Sequence, residues 1–145
     1  MSEARSIDHP IFGVMPFEAD FGWYQGKMPW QGRIVEVSLA VEEGDPAPVA
    51  ALAHAFWLQQ DAWAERIRAA LLAEMLPLKN EIWLEDAEAP VSETEFLSRI
   101  LPQGLTFYPS GGFEFFFADG DLFFGHTIIA AYFAEDEEFE VKLGG

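Results

Sequence analysis

Glu114, Asp119, Asp121 and His126 are the one dense polar cluster in the apolar C-terminal third of this chain. Carboxylates and an imidazole at such spacing could hold a divalent metal or move a proton. The local pattern argues against both uses. Asp119-Gly120 lies between two aromatic runs, and Asp-Gly suits the positive φ angles of a two-residue type I′ turn. Counting outward from that turn sets Phe117 opposite Leu122, Phe115 opposite Phe124 and Phe113 opposite His126. Glu114 and His126 then point to opposite faces of the hairpin. Asp119 and Asp121 read as turn residues, and the alternating ligands and closing Glu of an EF-hand loop are missing. His126, set among phenylalanines, reads as a hydrogen-bonded core histidine. A small enzyme, or a ligand- or metal-binding protein, using Glu114, Asp121 and His126 is therefore the alternative reading. No catalytic residue, metal or cofactor is expected.

Other chemistries lack their residues. The chain has no cysteine, which excludes thiol catalysis and disulfide staples. Ser38, Ser92, Ser98 and Ser110 have no nucleophile-elbow context, and no phosphate-binding glycine loop is present. His9 and His54 have no carboxylate at ligand spacing.

A second set of residues points to recognition. Trp23, Tyr24, Met28 and Trp30 fall in or beside a stretch, Gly26 to Gly32, that reads as a loop by its glycines and proline. Aromatics on an exposed loop are typical interface anchors, although the same side chains could roll back into the core. Glu135, Asp136 and Glu137 lie in an acidic turn. With 8 Lys and Arg against 25 Asp and Glu, the net charge is −17. Such charge disfavours nucleic acid and anionic membranes and suits a basic protein partner. It would equally serve to keep the chain in solution.

The elements follow from periodicity and punctuation. Strands are expected at Ile11 to Phe17, Phe21 to Gln25 and, most clearly, Arg33 to Val41, where apolar and polar residues alternate. Glu42 to Pro46 marks a change to helix, with Asp45 as N-cap and Pro46 in the first turn. Val49, Leu52, Phe56, Trp63, Ile67, Leu71 and Met75 form an apolar stripe at helical period. Its length predicts two helices, or one kinked near Gln59 to Asp61, and Pro77 marks a stop. Ser92-Glu-Thr-Glu95 is a capping box, flanked by Val91 and Phe96 as a hydrophobic staple, and starts a short helix to about Leu101. The acidic run from Glu81 to Glu95 reads as a solvated loop. Leu105 to Tyr108, the turn Pro109 to Gly112, the central hairpin and a last strand at Phe139 to Leu143 complete the chain. That last strand alternates with Glu138, Glu140 and Lys142, as suits a sheet edge protected by charge. Both faces of the central hairpin are largely apolar, so cover on both faces, or a partner on one, is expected.

At 145 residues, half of them hydrophobic and fourteen of them Phe, the chain reads as a single domain (1–145) with a sizeable core. Met1 to Pro10 is expected to fray. There is no basic-then-apolar leader and no apolar run of about 20 residues, so a cytoplasmic location is expected. The fold class is α+β: an antiparallel sheet of about five to seven strands, built from an N-terminal hairpin and a C-terminal meander, with the central helices on one face.

Phe21-Gly-Trp-Tyr-Gln-Gly26, Leu78-Lys-Asn-Glu-Ile-Trp83, Ser92-Glu-Thr-Glu-Phe96 and Phe113 to His126 together resemble a bacterial family of acidic single-domain proteins of unknown function. Its hairpin has the form Asp-Gly-Asp-Leu-Phe-aromatic-Gly-His, and Phe124 stands where the family often has Trp. The likeness spans most of the chain and supplies no catalytic residues. Some relatives are thought to act as immunity proteins beside toxin genes. The resemblance therefore implies a protein-binding module, with an immunity-type inhibitor as its specific form. A structural or regulatory homo-oligomer is a further alternative.

Overall fold

The computed structural model describes residues 5–41 and 44–144. In chain order the elements are β1 (Ser6–His9), β2 (Gly13–Glu18), β3 (Trp23–Trp30), β4 (Arg33–Ala40), α1 (Ala47–Leu58), α2 (Gln60–Glu81), α3 (Glu93–Arg99), β5 (Leu101–Phe107), β6 (Phe113–Ala118), β7 (Thr127–Phe133) and β8 (Glu138–Gly144). The class is α+β, with an open and mostly antiparallel sheet. Among the described residues eight strands replace the expected five to seven, and they lie side by side in sequence order. Among the described residues only the β4–β5 pair is parallel, and helices α1, α2 and α3 lie in the crossover that a parallel pair requires.

The extra strands come from the N-terminal part. The stretch expected to hold one strand from Ile11 pairs as the antiparallel β1 and β2, so Ser6–His9 is ordered strand, not a frayed end. Met1 to Ala4 and the Glu42-Glu43 part of the helix-entry turn lie outside the described residues. Gly26 to Gly32, read as a loop, is mostly strand β3. Gly26 is there for close approach: a Cβ would sit 2.8 Å from the Met15 side chain and 2.9 Å from the Phe12 carbonyl. Pro29 is tolerated because its backbone faces away from β4. Its carbonyl accepts the Trp57 indole N–H at 2.9 Å, so no ladder donor is lost on that side. The loop shrinks to Gln31-Gly32, whose φ values of 48° and 80° make a two-residue turn closed by the pair Trp30 and Arg33.

The helical stripe folds as two helices that break at Gln59, as its length predicts. The N-cap of α1 is Pro46 rather than the expected Asp45, although Asp45 Oδ1 accepts the Ala47 N–H at 3.0 Å just ahead of the helix. Pro77 does not stop α2, which runs on to Glu81. The continuation is anchored downstream. Lys79 is 1% exposed, and its ammonium donates to the Trp83 carbonyl and to Glu88, each at 2.9 Å. Asn80 clamps the backbone of Val91 through both its amide N–H and its oxygen. These bonds outweigh the one helical bond a proline removes. The acidic run after α2 is thus pinned at Glu88 and at Val91. Ser92 caps α3 through the Glu95 N–H, and Val91 and Phe96 are both buried.

Helices α1 and α2 cover one face of the sheet. Phe56 of α1 stacks on Trp30 with ring centroids 5.1 Å apart and meets Phe113 and Phe107 edge-on. Trp63 of α2 packs on Phe113 and Tyr132. On β6 the buried residues are Phe113, Phe115 and Phe117, while Glu114, Phe116 and Ala118 are half-buried on the far face. The expected cover on both faces is therefore found on one. β8 is an edge strand, with Phe139, Val141 and Leu143 half-buried and Glu138, Glu140 and Lys142 exposed, as its alternation predicts.

Candidate functional site

The central hairpin does not take the register counted from Asp119-Gly120. β6 ends at Ala118, and Phe117 lies opposite Ile128 rather than Leu122. The intervening residues form a wide loop organised by the Asp119 carboxylate. Asp119 is 5% exposed; its Oδ1 accepts the Asp121 N–H at 3.0 Å, and its Oδ2 accepts those of Phe123 and Gly125 at 2.9 Å each. Gly120, Asp121, Phe124 and Gly125 all have positive φ. A two-residue turn would satisfy none of these inward-pointing amides, whereas the buried carboxylate satisfies three. Arg99, at the end of α3, donates two bonds to the Gly120 carbonyl and docks the loop.

This rearrangement does not assemble the alternative Glu114, Asp121 and His126 site. Asp121 is exposed in the loop. His126 is half-buried, its Nδ1 bonded to the Phe123 carbonyl at 2.5 Å and its ring edge-on to Trp83 at 5.3 Å. Glu114 sits at the other end of β6, opposite Ala131. Among the described residues no three His, Asp or Glu side chains are grouped to hold a metal ion.

The aromatic anchors also sort differently. Met28 and Trp30, expected on an exposed loop, are 0% and 4% exposed, because β3 carries them onto the helix-covered face. Tyr24 is buried on the same face. Trp23 alternates to the far face and is half-buried, stacked on Phe21 at 4.8 Å. Phe21, which is 66% exposed, was not singled out by the sequence pattern.

The far face of the sheet carries a built polar feature. Ser38, Thr106 and Glu114 lie in one row across β4, β5 and β6. Glu114 accepts a short hydrogen bond from the Tyr108 hydroxyl. Burial first, and then the bond to Glu114 and its charge, push the Tyr108 pKa above the ordinary tyrosine range. Tyr108 is thus a protonated donor that fixes the carboxylate. This pair lines a cavity of about 440 Å³ together with Phe133, Glu135, Asp136 and Lys142. Phe133 is 48% exposed, and Glu135, Asp136 and Glu137 lie in the turn between β7 and β8. Glu135 and Asp136, chosen from sequence for charge alone, therefore meet Glu114 across one cavity. Tyr108 and Phe133 were missed. Tyr108 could have been found by counting across the Pro109 to Gly112 turn, which places Thr106 opposite Glu114 and Tyr108 diagonal to it on the same face.

Residues 9–141 match a family described as "Uncharacterized protein conserved in bacteria (DUF2262)". No curated protein and no solved structure matches the chain. The chain belongs to this bacterial family.

Proposed function

We propose that this chain is a cytoplasmic protein-binding module that receives a basic side chain of a protein partner in the Tyr108–Glu114 cavity, in the manner of an immunity-type inhibitor. The observation that carries the reading is the convergence of Glu114, Glu135 and Asp136 on one open cavity beside the exposed Phe133. A guanidinium or ammonium entering it would meet one carboxylate already oriented by Tyr108 and two more in the lining, against the single cation Lys142. Charge-assisted bonds of this kind are stronger than neutral ones. Phe133, with Phe21 and Trp23 farther along the same sheet face, offers the apolar contact area that charge alone does not supply. The net charge of −17 would steer a basic partner inward.

The test is affinity capture from the native host at low salt, followed by kinetics with the captured protein. The expected partner is basic, and its association slows steeply with ionic strength. Neutralising Glu135, Asp136 and Glu137 should slow association by about tenfold, whereas Phe133→Ala should mainly speed dissociation. Glu114→Gln should weaken binding through dissociation. Capture of no protein, or kinetics indifferent to all of these changes, would remove the proposal.

A further inference from the structure

A second cavity lies on the helix-covered side, where α2 and α3 meet the end of the sheet, and its volume is about 240 Å³. Its walls are apolar and tightly held: Trp30, Ile67, Leu71 and Phe117 are each at most 6% exposed. Ala64, buried at 3%, lines it where a larger apolar side chain would fill the space. The cavity is a cleft open to solvent on the side of Arg33 and Arg68, with buried core side chains on its inner side.

Arg33 and Arg68 are exposed and line the same cavity. They are two of only eight Lys and Arg in the chain. Lys79 forms the only salt bridge among the described residues, so neither of these arginines has a carboxylate partner there. Three other arginines are occupied: Arg99 bonds the Gly120 carbonyl, Arg66 lies over Trp63 at 4.5 Å, and Arg5 over Phe17 at 5.2 Å. Gln31 also lines the cavity, but its backbone and side-chain N–H groups turn to Gln60 and Asp61. Those bonds tie the β3–β4 turn to the start of α2.

We propose that this cavity binds a small amphipathic carboxylate, with its apolar body between α2 and β6 and its carboxylate on Arg33 and Arg68. Guanidinium groups present planar forks that match a carboxylate. The apolar walls argue against a bare inorganic anion, which would be desolvated without compensation. A volume of about 240 Å³ suits a short chain or a single ring as the apolar body.

Octanoate is the probe, with octanol and octylamine as its neutral and cationic counterparts, followed by calorimetry and by amide chemical shifts. Octanoate should bind with shifts centred on Ile67, Leu71 and Phe117, and the two counterparts about tenfold more weakly. The double variant Arg33→Gln, Arg68→Gln should lose about tenfold in octanoate affinity with its melting temperature retained, since both side chains are exposed. No octanoate binding, equal binding of the three probes, shifts centred elsewhere, or an unaffected double variant would each overturn the proposal.

Discussion

His9 accepts the backbone N–H groups of Ile11 and Phe12 on Nδ1, at 3.0 and 3.2 Å, and stacks on the Phe12 ring. Burial, and then the neighbouring His54, hold its pKa below the ordinary value of 6.5. In the window below 6.5 the unfolded chain therefore binds more protons at this site than the folded one, and stability falls as pH falls. The wild type should lose denaturation midpoint between neutral and acidic pH relative to His9→Asn, which keeps an acceptor but does not titrate; parallel curves would refute this. Lys79 gives a second residue-scale expectation. Its buried ammonium relies on Glu88, whose carboxyl is held below its usual range by the Glu85 N–H and then by Lys79. Glu88→Ala leaves a buried charge with only a carbonyl partner, whereas Lys79→Met removes the charge and keeps the apolar stem. Glu88→Ala should thus lower the melting temperature more than Lys79→Met. The sequence showed where such residues lie but not their partners. Lys79, Asp119 and Tyr108 are each fixed by groups that only the folded backbone brings near.

At the scale of the element, two turns part from the sequence pattern, and the cause is physical. Asp-Gly carries the stronger statistical signal for a two-residue hairpin, yet that turn forms at Gln31-Gly32. At Asp119 the carboxylate can cap three amides from inside a wider loop, and this local competition wins over the hairpin. The Ser92 cap, the break at Gln59 and the alternation of β8 were legible because each depends on residues a few positions apart. The extent of β3 was not, because Gly26 and Pro29 are explained by Phe12, Met15 and Trp57, which are distant in the chain. The two glycine turns should respond differently to substitution. Gly32 has open space around its absent Cβ, so Gly32→Ala should cost about 1 kcal/mol from positive φ alone. At Gly120 a Cβ would collide with the Arg99 carbonyl, so Gly120→Ala must also displace the loop from α3. Urea titrations of both variants should show the larger loss at Gly120; equal losses would mean that the loop is not docked as described.

At the scale of the molecule, the class and the helix-covered face were legible from periodicity, since one apolar stripe and one alternating set must bury each other. The candidate cavity was only half legible. Charge pointed to Glu135 and Asp136, but a count from Asp119-Gly120 as a two-residue turn gives the wrong strand register and leaves Glu114 and Tyr108 apart from them. No helix among the described residues is long and apolar enough to cross a membrane. The strand order, in which every neighbour in the sheet is a neighbour in sequence, also bears on the time course of folding. Hairpins close short loops and form quickly, but the parallel β4–β5 seam must wait until the whole helical segment has been drawn in. The seam is thus the natural site of the rate-limiting barrier, joining two preformed ribbons. Val37→Ala, in the buried seam, should chiefly slow refolding, whereas Val141→Ala, on the outermost strand, should chiefly accelerate unfolding, as the two arms of a chevron plot would separate.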